Sequence, residues 1–114
     1  MLIRSEQVDT LSNYMLRSFV DRMAEYIRSR FVRQTANVSD DELRETIQRG
    51  IKRADSYGVT DEADVKRYLE YVASYGDDFD SSEWAAPVLA QSALGTAKMN
   101  DLDAANICRL SGGG

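Results

Sequence analysis

Any catalysis by this chain would have to run on carboxylates, tyrosines, lysines and one thiol, because its 114 residues include no histidine. Without imidazole there is no unperturbed side chain titrating near neutral pH, no Ser–His or Cys–His nucleophile pair and no histidine-ligated metal. The thiol, Cys108, falls near the C-terminal end of a helical stretch, where the negative end of the helix dipole disfavours a thiolate. It reads as a small buried apolar residue. Among the nineteen Asp and Glu no spacing singles out an acid–base pair, and glycine-rich phosphate loops are absent. The acidic run Asp77, Asp78, Asp80, Glu83 fails as a calcium loop. Counted from Asp77 or Asp78, the sixth position is Ser82 or Glu83 and the twelfth Val88 or Leu89, where such a loop needs glycine and a bidentate glutamate. The expectation is a protein that is not an enzyme, with no cofactor and no metal, and with a solvated acidic loop at these residues.

Recognition is the chemistry that remains. Tyr68, Tyr71 and Tyr75 are spaced by three and four, which on a helix sets them along one edge of the stripe Val65, Leu69, Val72; Phe79 and Trp84 follow closely. They could simply cover the core. Alternatively, Tyr68, Tyr71, Tyr75, Phe79 and Trp84, fringed by Asp77, Asp78 and Asp80, form a protein-binding patch, since aromatics dominate interface hot spots and acidic rims speed capture of a basic partner. An aromatic surface of this breadth also makes a homodimer an expectation.

The charge balance narrows the partner. Fourteen Lys and Arg against nineteen Asp and Glu give a net charge of −5, which makes nucleic acid a poor partner because phosphate binding needs a basic face. The balance is uneven: residues 1–35 hold six basic and four acidic side chains, residues 59–83 two basic and eight acidic. Arg17, Arg22, Arg28, Arg30 and Arg33 in the first segment read as a solvated helix face, with Asp21 opposite Arg17 and Glu25 opposite Arg22 or Arg28 at helical contact spacing. No run approaches the ~18 apolar residues of a membrane span, and Met1 to Val8 is too polar for a secretory signal. Together with the lone cysteine, this predicts a cytoplasmic protein that does not insert in membranes.

The elements that must position these residues are helical. There is one proline, Pro87, and no glycine before Gly50. From Ser5, the positions Val8, Leu11, Met15, Phe19, Met23 and Ile27 recur at steps of three and four, predicting a long central helix that ends near Phe31 and Val32. Tyr14, Leu16, Val20 and Tyr26 widen its apolar face. Ser39 to Glu42 supplies a capping box for a second helix carrying Leu43, Ile47, Ile51 and Ala54 to Tyr57, ended by Gly58. Gly50 inside it predicts close approach of a neighbour, since it otherwise costs ~1 kcal/mol against alanine. Thr60 is the expected N-cap of a third helix that Gly76 stops. Pro87 requires a short fourth helix to start near Ser82 to Trp84, and Thr96 is the expected cap of a fifth carrying Met99, Leu102, Ala105 and Leu110. The expected fold is an all-α bundle of about five helices, one domain over residues 1–110, with a flexible Gly-rich tail at 111–114.

Three stretches carry a resemblance. They are Met1 to Val8 leading into Phe19-Val20-Asp21-Arg22-Met23; Leu43 to Asp64 with Ile51-Lys52-Arg53-Ala54-Asp55-Ser56-Tyr57-Gly58-Val59-Thr60; and Gly76-Asp77-Asp78-Phe79-Asp80 with Trp84. Lys98-Met99 extends the likeness, which spans residues 1 to about 102. The chain resembles small helical accessory proteins found beside the spike and effector genes of bacterial type VI secretion systems. None of the shared strings is a catalytic motif. The resemblance implies an adaptor or chaperone that binds another protein of the secretion module; the alternatives are an immunity protein that neutralises a cognate toxin and, third, a small carboxylate-dependent enzyme.

Overall fold

The computed structural model describes residues 10–91 and 95–111, with side chains over 15–91 and 95–110. Its regular elements are α1 (Thr10–Arg30), α2 (Val32–Thr35), α3 (Asp40–Ser56), α4 (Glu62–Tyr75), a 3₁₀ turn (Phe79–Ser81), α5 (Ala86–Leu89) and α6 (Gly95–Ser111). The fold is an all-α bundle. The expected helix start at Ser5, Val8 and the side chains of Leu11 and Tyr14 lie outside the described residues, as do Gly112 to Gly114 of the expected tail, whereas Ser111 belongs to the last turn of α6.

The apolar stripes of the four longer helices meet in one core: Phe19, Val20, Met23 and Ile27 from α1, Leu43, Ile47 and Ile51 from α3, Val65, Leu69 and Val72 from α4, and Met99 and Leu102 from α6. α1 is the longest element and packs chiefly on α3, while α4 touches α1, α2, α3, α6 and the 3₁₀ turn. The side chains discussed below therefore sit on the element with most support.

Local chemistry explains the boundaries. Arg28 near the end of α1 donates to the carbonyl oxygens of Thr35 (2.9 Å) and Val38 (2.6 Å), folding the connector back and ending the helix at Arg30. The extra turn, α2, had no periodic signal because it is one turn long. Ser39 caps α3 by accepting the Glu42 amide at 3.1 Å. At the other end, the Gly58 amide reaches the Asp55 carbonyl and the Val59 amide the Ala54 carbonyl, with Gly58 at φ +80°, which is a Schellman stop. Two expected caps shift. Asp61 rather than Thr60 caps α4, its carboxylate accepting from the Ala63 amide at 3.0 Å. Thr96 lies inside the first turn of α6 and donates to Asp64 Oδ2 at 2.5 Å, tying α6 to α4. Pro87 stands in the first turn of α5 as its ring requires, but α5 starts at Ala86 instead of near Ser82 to Trp84, because the residues between the 3₁₀ turn and Ala86 form a bend and turn rather than a helical first turn.

Gly50 is a point of close approach: a Cβ there would sit 2.5 Å from Leu69 Cδ2. Leu69 is buried and cannot swing into solvent. Gly50→Ala is therefore expected to lower stability by about 1–2 kcal/mol, the overpacking cost outweighing the ~1 kcal/mol gain in helix propensity. A chemical denaturation midpoint checks the sign, and a stabilised variant would mean that α3 and α4 can separate without loss.

No helix among the described residues is long and apolar enough to cross a membrane.

Candidate protein-binding surface

The spacing of Tyr68, Tyr71 and Tyr75 turns successive rings from the core outward along α4. Gly76, at φ +105°, then reverses the chain so that the 3₁₀ turn brings Phe79 back against them. Phe79 packs edge-on to Tyr68 (centroids 5.0 Å apart, 62°) and stacks on Tyr71 (5.4 Å, 21°). Trp84 closes the cluster against Tyr71 and Tyr75, each at 5.6 Å. The five aromatics form one continuous layer whose depth is graded.

That gradient divides the expected patch. Tyr68 and Phe79 are buried and Tyr71 nearly so, which makes them the base that holds the surface. Trp84 is partly open and Tyr75 is 42% exposed. The acidic fringe divides too. Asp77 and Asp78 are exposed, Asp77 meeting Arg49 at 2.8 Å, whereas Asp80 is buried and belongs to the interior. Asp78 and Glu83 form no ion pair among the described residues. The loop is thus not uniformly solvated. Arg53 grips Asp80 through Nε (3.0 Å) and Nη2 (2.8 and 2.9 Å), and the Tyr57 hydroxyl donates to the same carboxylate at 2.6 Å. The Tyr57 hydroxyl is pushed up in pKa by burial and by this bond.

α6 supplies a polar wall. The Tyr71 hydroxyl donates to Asp103 Oδ1 at 2.5 Å, and Arg67 bridges Asp103 (2.6 Å), Asn100 (2.9 Å) and Asp64 (3.2 Å). Burial first, then the Asp103 carboxylate, hold the Tyr71 hydroxyl well above its usual pKa, so it serves as a fixed donor. The Tyr75 hydroxyl reaches Asn106 Oδ1 at 3.1 Å. Between α4 and α6 these groups line an open groove of about 240 Å³ that also includes Glu70 and Ser74. Arg109 lies over both Tyr75 (5.1 Å) and Trp84 (5.0 Å).

Asp103, Asn106 and Arg109 escaped the sequence reading, although they continue the helical spacing of Met99 and Leu102 onto the same face. Lys98 is a second omission. It is buried, and its ammonium donates to the Tyr57 carbonyl (2.8 Å) and the Leu89 carbonyl (3.0 Å), capping the C-terminal ends of α3 and α5 together; burial lowers its pKa. Cys108 faces outward and is exposed, because the buried face of α6 runs through Met99 and Leu102, and Leu110 is exposed as well. The charges of α1 pair across elements instead of along the helix: Asp21 with Arg44, Arg22 with Glu62, Arg28 with Asp40. Among the described residues no group of three or more His, Cys, Asp or Glu could hold a metal ion. The arrangement offers aromatic edges, oriented donors and carboxylates, which is equipment for recognition.

Comparison with protein-family models, with curated proteins and with solved structures yields no match.

Proposed function

We propose that the chain is a non-enzymatic protein-binding accessory protein, an adaptor or chaperone acting in the cytoplasm on another component of a bacterial type VI secretion effector module. The secretion setting comes from the sequence resemblance alone. The observation that carries the binding reading is the pair Tyr75 and Trp84, partly exposed on a buried aromatic base and flanked in the chain by Asp78 and Glu83, which have no ion pair among the described residues. Rings already fixed by packing lose little side-chain entropy when a partner covers them, and unpaired carboxylates steer a basic segment toward them.

Co-purification from cells carrying the complete gene cluster tests this. A spike, adaptor or effector component is expected with the wild type, and Tyr75→Ala is expected to reduce its recovery by about tenfold or more, the loss of ~1.4 kcal/mol of binding. Tyr75 is half exposed, so circular dichroism should show the fold intact. Recovery of no module component, or undiminished recovery with Tyr75→Ala, rejects the reading. Asp78 and Glu83, without an ion pair among the described residues, also favour a second reading, in which an acidic surface blocks a toxin. Cells expressing the cognate toxin alone would then survive only when this protein is present, whereas an adaptor gives no protection.

A further inference from the structure

We propose that Tyr75 and Trp84 form an arginine-accepting aromatic corner, which Arg109 occupies in the free protein and an arginine of the partner segment occupies in the complex. The inference rests on the protein-binding reading and names the chemistry of what is bound.

The corner's preference is read from what it already holds. The two rings stand at 75° with centroids 5.6 Å apart, so they make adjoining walls, and the Arg109 guanidinium lies about equally close to both. A planar guanidinium stacks on such faces better than an ammonium does. Yet Arg109 is held without a counter-ion among the described residues. Its Nη2 donates to Asn106 Oδ1 at 2.9 Å, the neutral oxygen that Tyr75 also uses. Among the described residues its buried Nε has no acceptor and no carboxylate pairs with it. By contrast Arg53, Arg49 and Arg67 all meet carboxylates.

Position makes this occupant replaceable. Arg109 is in the last turn of α6, two residues before Ser111, where the terminal carbonyls have no helical partners and local opening costs least. Its neighbour Leu110 is exposed, so opening that turn uncovers no leucine from the core. An incoming arginine keeps both ring contacts. The segment bearing it also passes Glu83, next in the chain to Trp84, a carboxylate with which Arg109 does not pair among the described residues. Net charge −5 favours the same basic partner over distance. Arg109 thus keeps the corner shaped for a cation and sets a threshold, since apparent affinity falls by the fraction of molecules in which the corner is open.

Trp84 is the sole tryptophan, so its fluorescence reports the corner directly. Wild type, Arg109→Ala and Arg109→Gln are titrated with N-acetyl-argininamide, and with the uncharged isostere N-acetyl-citrullinamide. The vacated corner of Arg109→Ala is expected to respond to the arginine probe at a concentration about tenfold below the wild type, within the range of a desolvated cation–π contact, and not to the citrulline probe. Arg109→Gln retains two of the three methylenes and serves if Arg109→Ala loses helicity. A folded Arg109 variant that ignores the arginine probe overturns the proposal, as do equal midpoints in variant and wild type, or an equal response to citrulline. These outcomes separate from the broader reading: a silent probe with module capture retained removes the corner and keeps the surface, whereas a responsive probe with no capture keeps the corner and removes the secretion partner.

Discussion

Arg53→Ala is expected to destabilise the fold by about 3–5 kcal/mol, and Asp80→Ala by about 1–3 kcal/mol, although both break the same ion pair. The asymmetry follows from burial. The Asp80 side chain is 2% exposed and that of Arg53 51%. Removing aspartate leaves a guanidinium that water can solvate, plus a Tyr57 hydroxyl without its acceptor. Removing arginine strands a buried carboxylate that keeps only the Tyr57 hydroxyl as a donor and loses its bidentate cation. The larger figure is a sizeable part of the 5–15 kcal/mol typical of a whole domain. Urea denaturation of the two single variants and the double variant checks it. Equal costs would show that the carboxylate finds water when the arginine is gone.

This pair also marks where the sequence stopped being legible. Signals carried by near neighbours are legible: the Ser39 cap, the Gly58 stop, Pro87 in a first turn and the crowding at Gly50 each depend on residues within a few positions or on a helical period. Asp80 depends on Arg53, twenty-seven positions away. In a run of Asp77, Asp78 and Asp80 nothing local distinguishes the carboxylate that a 3₁₀ turn points inward from those it leaves in water. The same holds for the candidate surface. The period placed the aromatics on one edge of α4, but which of them end up covered is decided by the return of Phe79 and by the wall of α6. Spacing along α1 makes only pairs within the helix visible in sequence, whereas cross-helix partners such as Arg44 and Glu62 lie near only in the folded chain.

Tyr68 gives the sharpest test of the aromatic base, because its ring and its hydroxyl are predicted to have opposite effects. The ring is fully buried between Tyr57 and Phe79, and Tyr68→Ala is expected to cost about 3–5 kcal/mol through lost contacts and the cavity left behind. The hydroxyl is buried and makes no hydrogen bond of ordinary geometry among the described residues, the Arg53 guanidinium acting on it without reaching it squarely because it is committed to Asp80. Tyr68→Phe is therefore expected to be neutral or to stabilise by about 1 kcal/mol, since it deletes an unsatisfied donor while keeping the ring. pH separates the two further. Burial first, then the charge of Asp80, raise the Tyr68 pKa far above 10.0. Above pH 10 the unfolded chain releases that proton while the folded one retains it, so the folded state binds more protons and stability falls as pH rises. Tyr68→Phe removes this contribution while Tyr71, Tyr57 and Tyr26, also raised, keep theirs, so its alkaline limb should be shallower than the wild type's without becoming flat. Denaturation midpoints at neutral and alkaline pH give both quantities. A loss above about 1 kcal/mol at neutral pH for Tyr68→Phe would mean that the hydroxyl does have a partner.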